Sequence, residues 1–287
     1  MQVANEEQAE YWGNSPSGAK WLTYEEQMDE LLEPVLDLVF ERADLQPGMR
    51  VLDIGCGTGA STVRAAQIVG GAGHILAADF SQPFLNRAAQ RAAEHGLANI
   101  DFQYADVQTH PFVAADRDAM ISRFGVMFFE DPVAAFANIS RALKPGGQMT
   151  FAAWGPLSGN PWFKMPHIAA CARLGNPPPM DRDAPGPLAF HDQDRVSGLL
   201  ADAGLTEIVV EPVPVFLHFR GTLEDCAKLC TRIGPAARLI ALFEGDEEDI
   251  EAIQQAVAKA FRPFATENTV EIPALINLFQ ARRPETG

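Results

Sequence analysis

The chain of 287 residues is poor in cationic side chains: Lys and Arg number 22 against 38 Asp and Glu, which gives a formal net charge of −16. A surface of that sign repels phosphate backbones, so nucleic acid is not expected as a partner. The chain also lacks the roughly 18 uninterrupted apolar residues of a membrane span. Its first residues lack the basic and apolar regions of a secretion signal. These absences predict a cytoplasmic protein without a membrane span.

Cysteine is scarce as well. The four cysteines, Cys56, Cys171, Cys226 and Cys230, show neither a disulfide framework nor the paired CxxC spacing of a zinc site. No metal site is therefore predicted. Cys226 and Cys230 are four residues apart on a predicted helix, where they could present two thiols on one face or pack as small apolar side chains.

What the chain does contain is an alternation of strand and helix patterns. Apolar strands are predicted at 50–54, 74–79, 100–104, 119–126 and 148–154, with helices between them and an amphipathic helix at 28–40 before the first. Such alternation predicts βαβ crossovers and a doubly wound, mostly parallel sheet. After a stretch rich in Pro and Gly at 155–187, the pattern continues with a helix and strand at 192–219, helices at 223–261 and a last strand at 274–281.

The segment 51–59 reads VLDIGCGTG, so a buried strand runs directly into glycines at 55, 57 and 59. Glycines there let the backbone turn sharply and let a ligand approach where a Cβ would collide. The spacing of Gly55, Gly57 and Ala60 also satisfies the loose dinucleotide fingerprint. A nicotinamide cofactor therefore remains an alternative at this point.

Acidic side chains stand at the ends of three successive strands: Asp53 beneath the turn, then Asp79 and Asp106. Asp53 would repel a pyrophosphate, whereas it would favour a ligand with a sulfonium and an ammonium group. S-adenosylmethionine carries both cations. Asp79 is placed to accept hydrogen bonds from the ribose hydroxyls, and Asp106 suits an adenine amino group. The acids therefore favour S-adenosylmethionine as the cofactor.

Five motifs of the chain resemble those of the class I S-adenosylmethionine-dependent methyltransferases, in the ubiquinone- and menaquinone-biosynthesis-like branch (methyltransferase type 11). They are VLDIGCGTG (51–59), ILAADFS (75–81), YADVQTHPF (104–112), SRFGVMFFEDP (122–132) and RALKPGG (141–147). The resemblance implies a seven-stranded sheet of order 3-2-1-4-5-7-6 whose last strand is antiparallel, with helical cap insertions. Many relatives carry a histidine in the segment equivalent to 127–130, so no role of that histidine is carried over.

The pattern and the resemblance together divide the chain into six predicted segments. These are an N-terminal helical segment closing over the cofactor (1–45), a Rossmann-like cofactor-binding core (46–154), a cap insertion (155–190), a core helix and strand (191–219), a helical cap (220–270), and a final antiparallel strand and tail (271–287). The residues expected to bind the cofactor are Trp21, Asp53, Gly55, Cys56, Gly57, Gly59, Asp79, Phe80, Asp106, Val107, Ser122, Arg123 and Phe124. The expected substrate contacts are Phe128, Trp154 and Trp162.

The predicted reaction is direct displacement of a methyl group from S-adenosylmethionine, with S-adenosylhomocysteine as the product. The acceptor is expected to be a small aromatic or hydrophobic molecule, because the predicted caps contain apolar side chains such as Trp162 and Phe163. His110, His167 and His191 are the candidates for a general base, should a hydroxyl be the acceptor; no catalytic residue is assigned. Two alternatives stay open, a nicotinamide-dependent oxidoreductase and a non-catalytic methyltransferase-like subunit. A homo-oligomer also stays open.

Overall fold

The structure, a computed structural model, describes residues 5–13, 15–179 and 181–285 and has a seven-stranded sheet at its centre. The strands are β1 (Arg50–Ile54), β2 (His74–Asp79), β3 (Ile100–Tyr104), β4 (Arg117–Arg123), β5 (Leu143–Trp154), β6 (Thr206–Arg220) and β7 (Thr269–Arg282). Their order is β3-β2-β1-β4-β5-β7-β6, with β7 antiparallel to both of its neighbours and the other pairs parallel. The predicted fold and strand order are confirmed.

Helices cover the sheet and extend beyond its edge. They are α1 (Glu6–Gly13), α2 (Pro16–Thr23), α3 (Glu25–Leu31), α4 (Glu33–Ala43), α5 (Ala60–Val69), α6 (Gln82–Glu94), α7 (Pro132–Ala142), α8 (Pro161–Leu174), α9 (Gln193–Asp202), α10 (Leu223–Cys230), α11 (Pro235–Leu242) and α12 (Glu247–Phe261). Single 3₁₀ turns occupy Val126–Phe128, Leu157–Gly159 and Arg262–Phe264. None of the described helices combines the length and apolarity that a bilayer crossing would require.

The core lies on both faces of the sheet, which explains why its central strands are apolar throughout rather than alternating. Val51 and Leu52 of β1 are fully buried. On one face, Phe136 of α7 stacks on Phe151 of β5, which stacks in turn on Phe279 of β7, with ring centroids 5.4 and 4.8 Å apart. These contacts anchor the antiparallel strand to the parallel part of the sheet.

Several predicted elements have other bounds in the structure: β5 and β7 each begin five residues before their predicted starts at 148 and 274, and two more differ for a local reason. The helix predicted at 28–40 is interrupted at Leu32, because Pro34 has no N–H with which to continue the hydrogen bonds of α3. The strand predicted at 119–126 stops at Arg123, because Phe124 adopts a left-handed backbone with φ of 66°. That reversal begins the loop over the carboxyl ends of β1 and β4.

The last two strands are longer than the rest and carry a cap. Trp154, the last residue of β5, pairs with Ile276, whereas β7 begins at Thr269 and pairs there with Arg220. Both β6 and β7 therefore extend past the carboxyl end of β5. Helices α10 to α12 connect them at this end, and α11 and α12 pack against α8. The cap helices lie on the side of the sheet where parallel α/β folds bind their ligands.

Candidate functional site

The glycine turn after β1 has a shape that side chains would prevent. Gly55, Gly57 and Gly59 all have positive φ, at 64°, 55° and 92°. A Cβ on Gly55 would lie 2.5 Å from the Cα of Gly125, whereas a Cβ on Gly57 would meet no atom within 4 Å. The turn is therefore packed tightly on the Gly55 side and open on the Gly57 side.

The end of β4 is attached to this turn by Ser122. Its hydroxyl donates to the carbonyl of Ile54 at 2.7 Å and accepts from the N–H of Gly125 at 3.1 Å. Ser122 is fully buried, so its hydroxyl holds two strand ends together. Gly125 was not among the predicted site residues; its importance comes from its contact with Gly55, which the local motif does not reveal.

Asp79 is held in place by one backbone N–H of the glycine turn and one of the loop that follows β2. One carboxylate oxygen accepts from the N–H of Gly57 at 2.9 Å, and the other accepts from the N–H of Ser81 at 2.8 Å. A carboxylate offers about four acceptor positions, so roughly two remain. Burial raises the pKa of Asp79 to about 6, with the charge of Asp53 adding to the rise.

Asp53 lies completely buried beneath the turn. Its Oδ2 accepts from the hydroxyls of Ser61 at 2.8 Å and Thr62 at 2.6 Å, while its Oδ1 has no hydrogen-bond partner among the described residues. Burial raises the pKa of Asp53 to about 6, although the two hydroxyls and the charge of Arg123 oppose the rise. A buried oxygen without a hydrogen bond lowers the stability of the folded protein unless a ligand supplies a donor.

Arg123, the last residue of β4, supplies the opposite charge. Its Nη2 donates to Asp29 Oδ1 at 2.8 Å, whereas its Nη1 is buried with no partner among the described residues. The site therefore contains an unpartnered acceptor on Asp53 and an unpartnered donor on Arg123. A ligand carrying both an ammonium and a carboxylate matches this pair, and the methionyl end of S-adenosylmethionine is such a group.

At the end of β3, the N-terminal segment already contacts the predicted adenine partner. Asn5 donates to Asp106 from its backbone N–H at 3.1 Å and from its side-chain Nδ2 at 2.8 Å. The carbonyl of Val107 accepts from Asn138 at 2.7 Å, which holds the following loop in place. Neither Asn5 nor Asn138 had a signal in the sequence that would have identified it.

Aromatic side chains surround the ends of β4 and β5. Phe124 stacks face to face on Trp154 with centroids 4.4 Å apart, and Phe163 packs edge-on against Trp154 at 4.8 Å. Two of the predicted substrate contacts lie near strand ends: Trp154 in this stack, and Phe128 in the turn after β4. The third, Trp162, lies on α8; Trp154 and Trp162 are both buried in the core, whereas Phe128 is half-buried.

A second aromatic group involves the N-terminal helices. Trp12 contacts Trp21, Phe84 and Phe128, with centroids 5.8, 6.1 and 5.4 Å apart. The carbonyl of Trp12 also accepts a hydrogen bond from Ser81 at 3.0 Å. The beginning of the chain therefore lies against the ends of β2 and β4. Phe80, also predicted to bind the cofactor, is half-buried beside Asp79.

Cys56 is not a suitable nucleophile. Burial raises the pKa of its thiol well above the usual value, and the negative charges of Asp79 and Asp53 raise it further. A neutral thiol is a weak nucleophile, so Cys56 acts as a small residue in the turn. Cys226 and Cys230 are likewise buried and free.

The three candidate histidines are not brought together. His110 lines a small cavity with Arg117, the first residue of β4, about 20 Å along that strand from Arg123. His167 has its Nε2 3.5 Å from the Sγ of Cys171 on the same helix. The Nδ1 of His191 lies 2.8 Å from the carbonyl oxygen of Leu188, three residues earlier, so this hydrogen bond is local. The described residues also contain no group of three or more His, Cys, Asp or Glu able to hold a metal.

Comparison with known proteins agrees with this geometry. Residues 51–147 match a family described as a methyltransferase domain. The chain is 33% identical to aklanonic acid methyltransferase DauC of a Streptomyces species, over 45% of this chain and 59% of that protein. It is 32% identical to nocamycin O-methyltransferase of Saccharothrix syringae, over 42% and 43%. The matched part is thus about half the length of the curated relatives at this identity.

A solved structure covers more of the chain. The 4+2 cyclase SpnF is 25% identical and has a TM-score of 0.52, over 87% of this chain and 80% of that one.

The fold and the family match together identify a class I S-adenosylmethionine-dependent methyltransferase domain at residues 51–147. S-adenosylmethionine is the cofactor of this domain, and a nicotinamide cofactor is not needed to explain the glycine turn. The more specific ubiquinone- and menaquinone-like branch stays a prediction.

Proposed function

We propose that the protein transfers the methyl group of S-adenosylmethionine to a small aromatic or hydrophobic molecule. The observation that carries the proposal is the pair of unpartnered buried atoms, Asp53 Oδ1 and Arg123 Nη1, on two side chains whose charges interact and which lie at the ends of the neighbouring strands β1 and β4. Asp53 would accept from the α-ammonium group and Arg123 would donate to the α-carboxylate. A buried donor and a buried acceptor would thereby each gain a charged partner.

The other polar groups divide between the ribose and the adenine. The acceptor positions left on Asp79 suit the two ribose hydroxyls, since each carboxylate oxygen already has one backbone donor. Asp106 and the backbone of Val107 would hold the adenine. Trp21 would close over the site together with Trp12, which lies against Phe84 and Phe128.

The acceptor would lie against the half-buried ring of Phe124, which follows Arg123 and is backed by the buried ring of Trp154 at the end of β5. Flat aromatic surfaces favour a flat or hydrophobic acceptor. The names of two relatives, an aklanonic acid methyltransferase and a nocamycin O-methyltransferase, support a small-molecule acceptor.

Bound S-adenosylmethionine supplies an electrophilic methyl carbon whose bond to sulfur breaks as the acceptor's lone pair forms the new bond. The product would be S-adenosylhomocysteine, and a hydroxyl acceptor would release its proton to water. The protein's contribution is to hold the methionyl end between Asp53 and Arg123, so that acceptor and methyl stand in line. Such positioning can lower a barrier by about 7 to 11 kcal/mol.

The likeness to the 4+2 cyclase SpnF favours a second candidate, ring closure of a small molecule in the same pocket without methyl transfer. Aromatic walls that enclose and orient an acceptor would equally serve a cyclisation. The two candidates differ in whether the cofactor is consumed.

One experiment separates these candidates. The purified protein is titrated with S-adenosylmethionine, S-adenosylhomocysteine and NADH by calorimetry, then incubated with S-adenosylmethionine and panels of phenols, quinols, amines and thiols. We expect binding of the two sulfur ligands and acceptor-dependent release of S-adenosylhomocysteine. Binding of NADH alone would overturn the proposal, and ring closure of an added compound that carries a conjugated diene and an alkene, without S-adenosylhomocysteine release, would favour cyclisation.

A further inference from the structure

We propose that Asp29 of α3 is a positioning residue of the cofactor site: it holds the guanidinium of Arg123 so that the unpartnered Nη1 is available to the methionyl carboxylate. The inference rests on the proposed function and deepens it. It assigns a role to a residue of the N-terminal helices that no motif of the chain contains.

The contacts of Asp29 reach two arginines at once. Its Oδ1 accepts from Arg123 Nη2 at 2.8 Å, and its Oδ2 accepts from Arg91 Nη1 on α6 at 2.7 Å. All three side chains are mostly buried, with 22%, 14% and 20% of their surface exposed. Charged hydrogen bonds shielded from water are stronger than exposed ion pairs, so this arrangement restricts the orientation of both guanidinium groups.

The same group extends to the glycine turn. Arg91 Nη1 also donates to the carbonyl of Thr58 at 3.3 Å and lies 3.4 Å from its hydroxyl. Thr58 lies between Gly57 and Gly59. Asp29 therefore connects three parts of the site: the N-terminal helix α3, the turn after β1 and the end of β4.

The neighbouring acid on the same face of α3 serves as an internal comparison. Glu25, one turn earlier, accepts from Arg87 of α6 at 2.6 Å, an ion pair that joins the two helices. Arg87 also pairs with Glu94 of its own helix. The Glu25 pair therefore attaches α3 to α6 alone, whereas the Asp29 group also includes the end of β4.

Removing the charge of Asp29 would leave two buried guanidinium groups near each other without their shared carboxylate. Like charges in a partly buried site repel strongly, so Arg123 would turn away from its present position. The methionyl carboxylate would then lose its partner. The ribose and adenine contacts at Asp79 and Asp106 should change little, because neither carboxylate is bonded to Asp29 or Arg123 and Asp79 is held by the N–H groups of Gly57 and Ser81 and not by Thr58.

The test uses two ligands that differ only at the methionyl end. S-adenosylhomocysteine has the amino acid group, whereas 5′-methylthioadenosine keeps the adenosine and the sulfur without it. For Asp29→Asn, which keeps the shape and removes the charge, we expect S-adenosylhomocysteine to bind about 10- to 100-fold more weakly. The affinity for 5′-methylthioadenosine should stay within about twofold. The control is Glu30→Gln, the adjacent carboxylate, which pairs with exposed Arg220 and should change neither affinity.

A second set of variants tests the dependence on Arg123. Arg123→Gln should show the same selective loss, and the double variant Asp29→Asn, Arg123→Gln should be no weaker than Arg123→Gln alone, because coupled residues are not additive. Asp29→Glu keeps the charge and should bind S-adenosylhomocysteine more tightly than Asp29→Asn. If Asp29→Asn does not fold, Asp29→Glu and Arg123→Gln still test the role of Asp29.

Equal losses for both ligands, or additive losses in the double variant, would overturn the role of Asp29 while leaving the proposed function in place. Failure of the wild-type protein to bind S-adenosylhomocysteine would overturn both.

Discussion

Asn5 and Asp106, 101 residues apart, are joined by two hydrogen bonds, from the backbone N–H and from the side-chain amide of Asn5. The N–H of Gln108 donates to the same carboxylate at 3.0 Å. The carbonyl oxygen of the Asn5 side chain accepts from the N–H of Glu130 at 2.7 Å, which fixes the amide in place. Asn5 thus presents to Asp106 the kind of donor that the adenine amino group would present.

Asn5→Ala should therefore strengthen cofactor binding. If adenine uses Asp106, its amino group has to displace the Asn5 amide, and losing one hydrogen bond of about 1 kcal/mol corresponds to about a fivefold change. Calorimetry with S-adenosylhomocysteine measures the effect. Gln90→Ala, which removes an exposed amide bonded only to Glu94, is the control and should change nothing. Weaker binding by Asn5→Ala would mean that Asn5 belongs to the closed site instead of competing for it.

Gly57→Ala should weaken S-adenosylhomocysteine by about tenfold or more, because the added Cβ would project from the open side of the turn. A left-handed alanine also costs about 1 kcal/mol of stability. The matched control is Gly96→Ala. Gly96 also has a positive φ, 66°, and a Cβ added there would meet no atom within 4 Å. It lies just past the C-terminal end of α6, away from the turn. Both variants should lose similar stability by thermal unfolding, and only Gly57→Ala should lose affinity. Normal binding by folded Gly57→Ala would place the cofactor elsewhere.

Asp79→Ala should weaken S-adenosylhomocysteine by roughly 2 to 4 kcal/mol, since two ribose hydroxyls lose one charged acceptor. Asp101→Ala, on the neighbouring strand β3, removes an exposed carboxylate bonded to His74 and serves as the control. The comparison is made by calorimetry at pH 7.5. An unchanged affinity would show that the end of β2 is not the ribose site.

The affinity should also depend on pH. Burial raises the pKa of Asp53 and of Asp79 to about 6, and both groups accept hydrogen bonds best as carboxylates. Binding should be strongest above about pH 7 and weaken as the pH falls through 6; at pH 5 each group is about nine-tenths protonated, which predicts about a tenfold loss per group. Asp79→Asn should bind more weakly at pH 7.5 and show a shallower dependence. A constant affinity between pH 7.5 and 5 would contradict the assignment.

Without ligand, the free energy of unfolding should depend on pH in the opposite direction to the affinity: the contribution of these two carboxyl groups should fall as the pH rises. Both folded-state pKa values lie above the ordinary 3.8, so the folded protein binds more protons than the unfolded chain between about pH 4 and 6. Their contribution to stability is greatest below pH 4 and is lost as the pH rises through 6. Comparing urea denaturation of the wild type and Asp79→Asn across this range measures the contribution of Asp79.

Much of the framework could be predicted from local patterns. The predicted bounds of β1, β2 and β3 agree with the structure, because each is a short apolar run with a glycine or an acid at or near its end. The two helices α3 and α4 were predicted as one because their apolar spacing is continuous. The break at Leu32 comes from the proline two residues later, a local signal that the periodic pattern obscured.

The residues of the site likewise divide into those that local patterns predict and those whose contacts depend on tertiary packing. Glycines and acids at 53–59, 79 and 106 lie at strand ends, where chain direction and backbone conformation alone bring them to one edge of a parallel sheet, so motifs and spacing predict them. The contacts of Asp29 with Arg123, of Asn5 with Asp106 and of Gly55 with Gly125 join residues 94, 101 and 70 positions apart. No periodicity relates such pairs, because their distance depends on how separate helices and strands pack. That packing therefore decides which charged groups at the carboxyl ends of the strands have partners within the protein and which are left for a ligand.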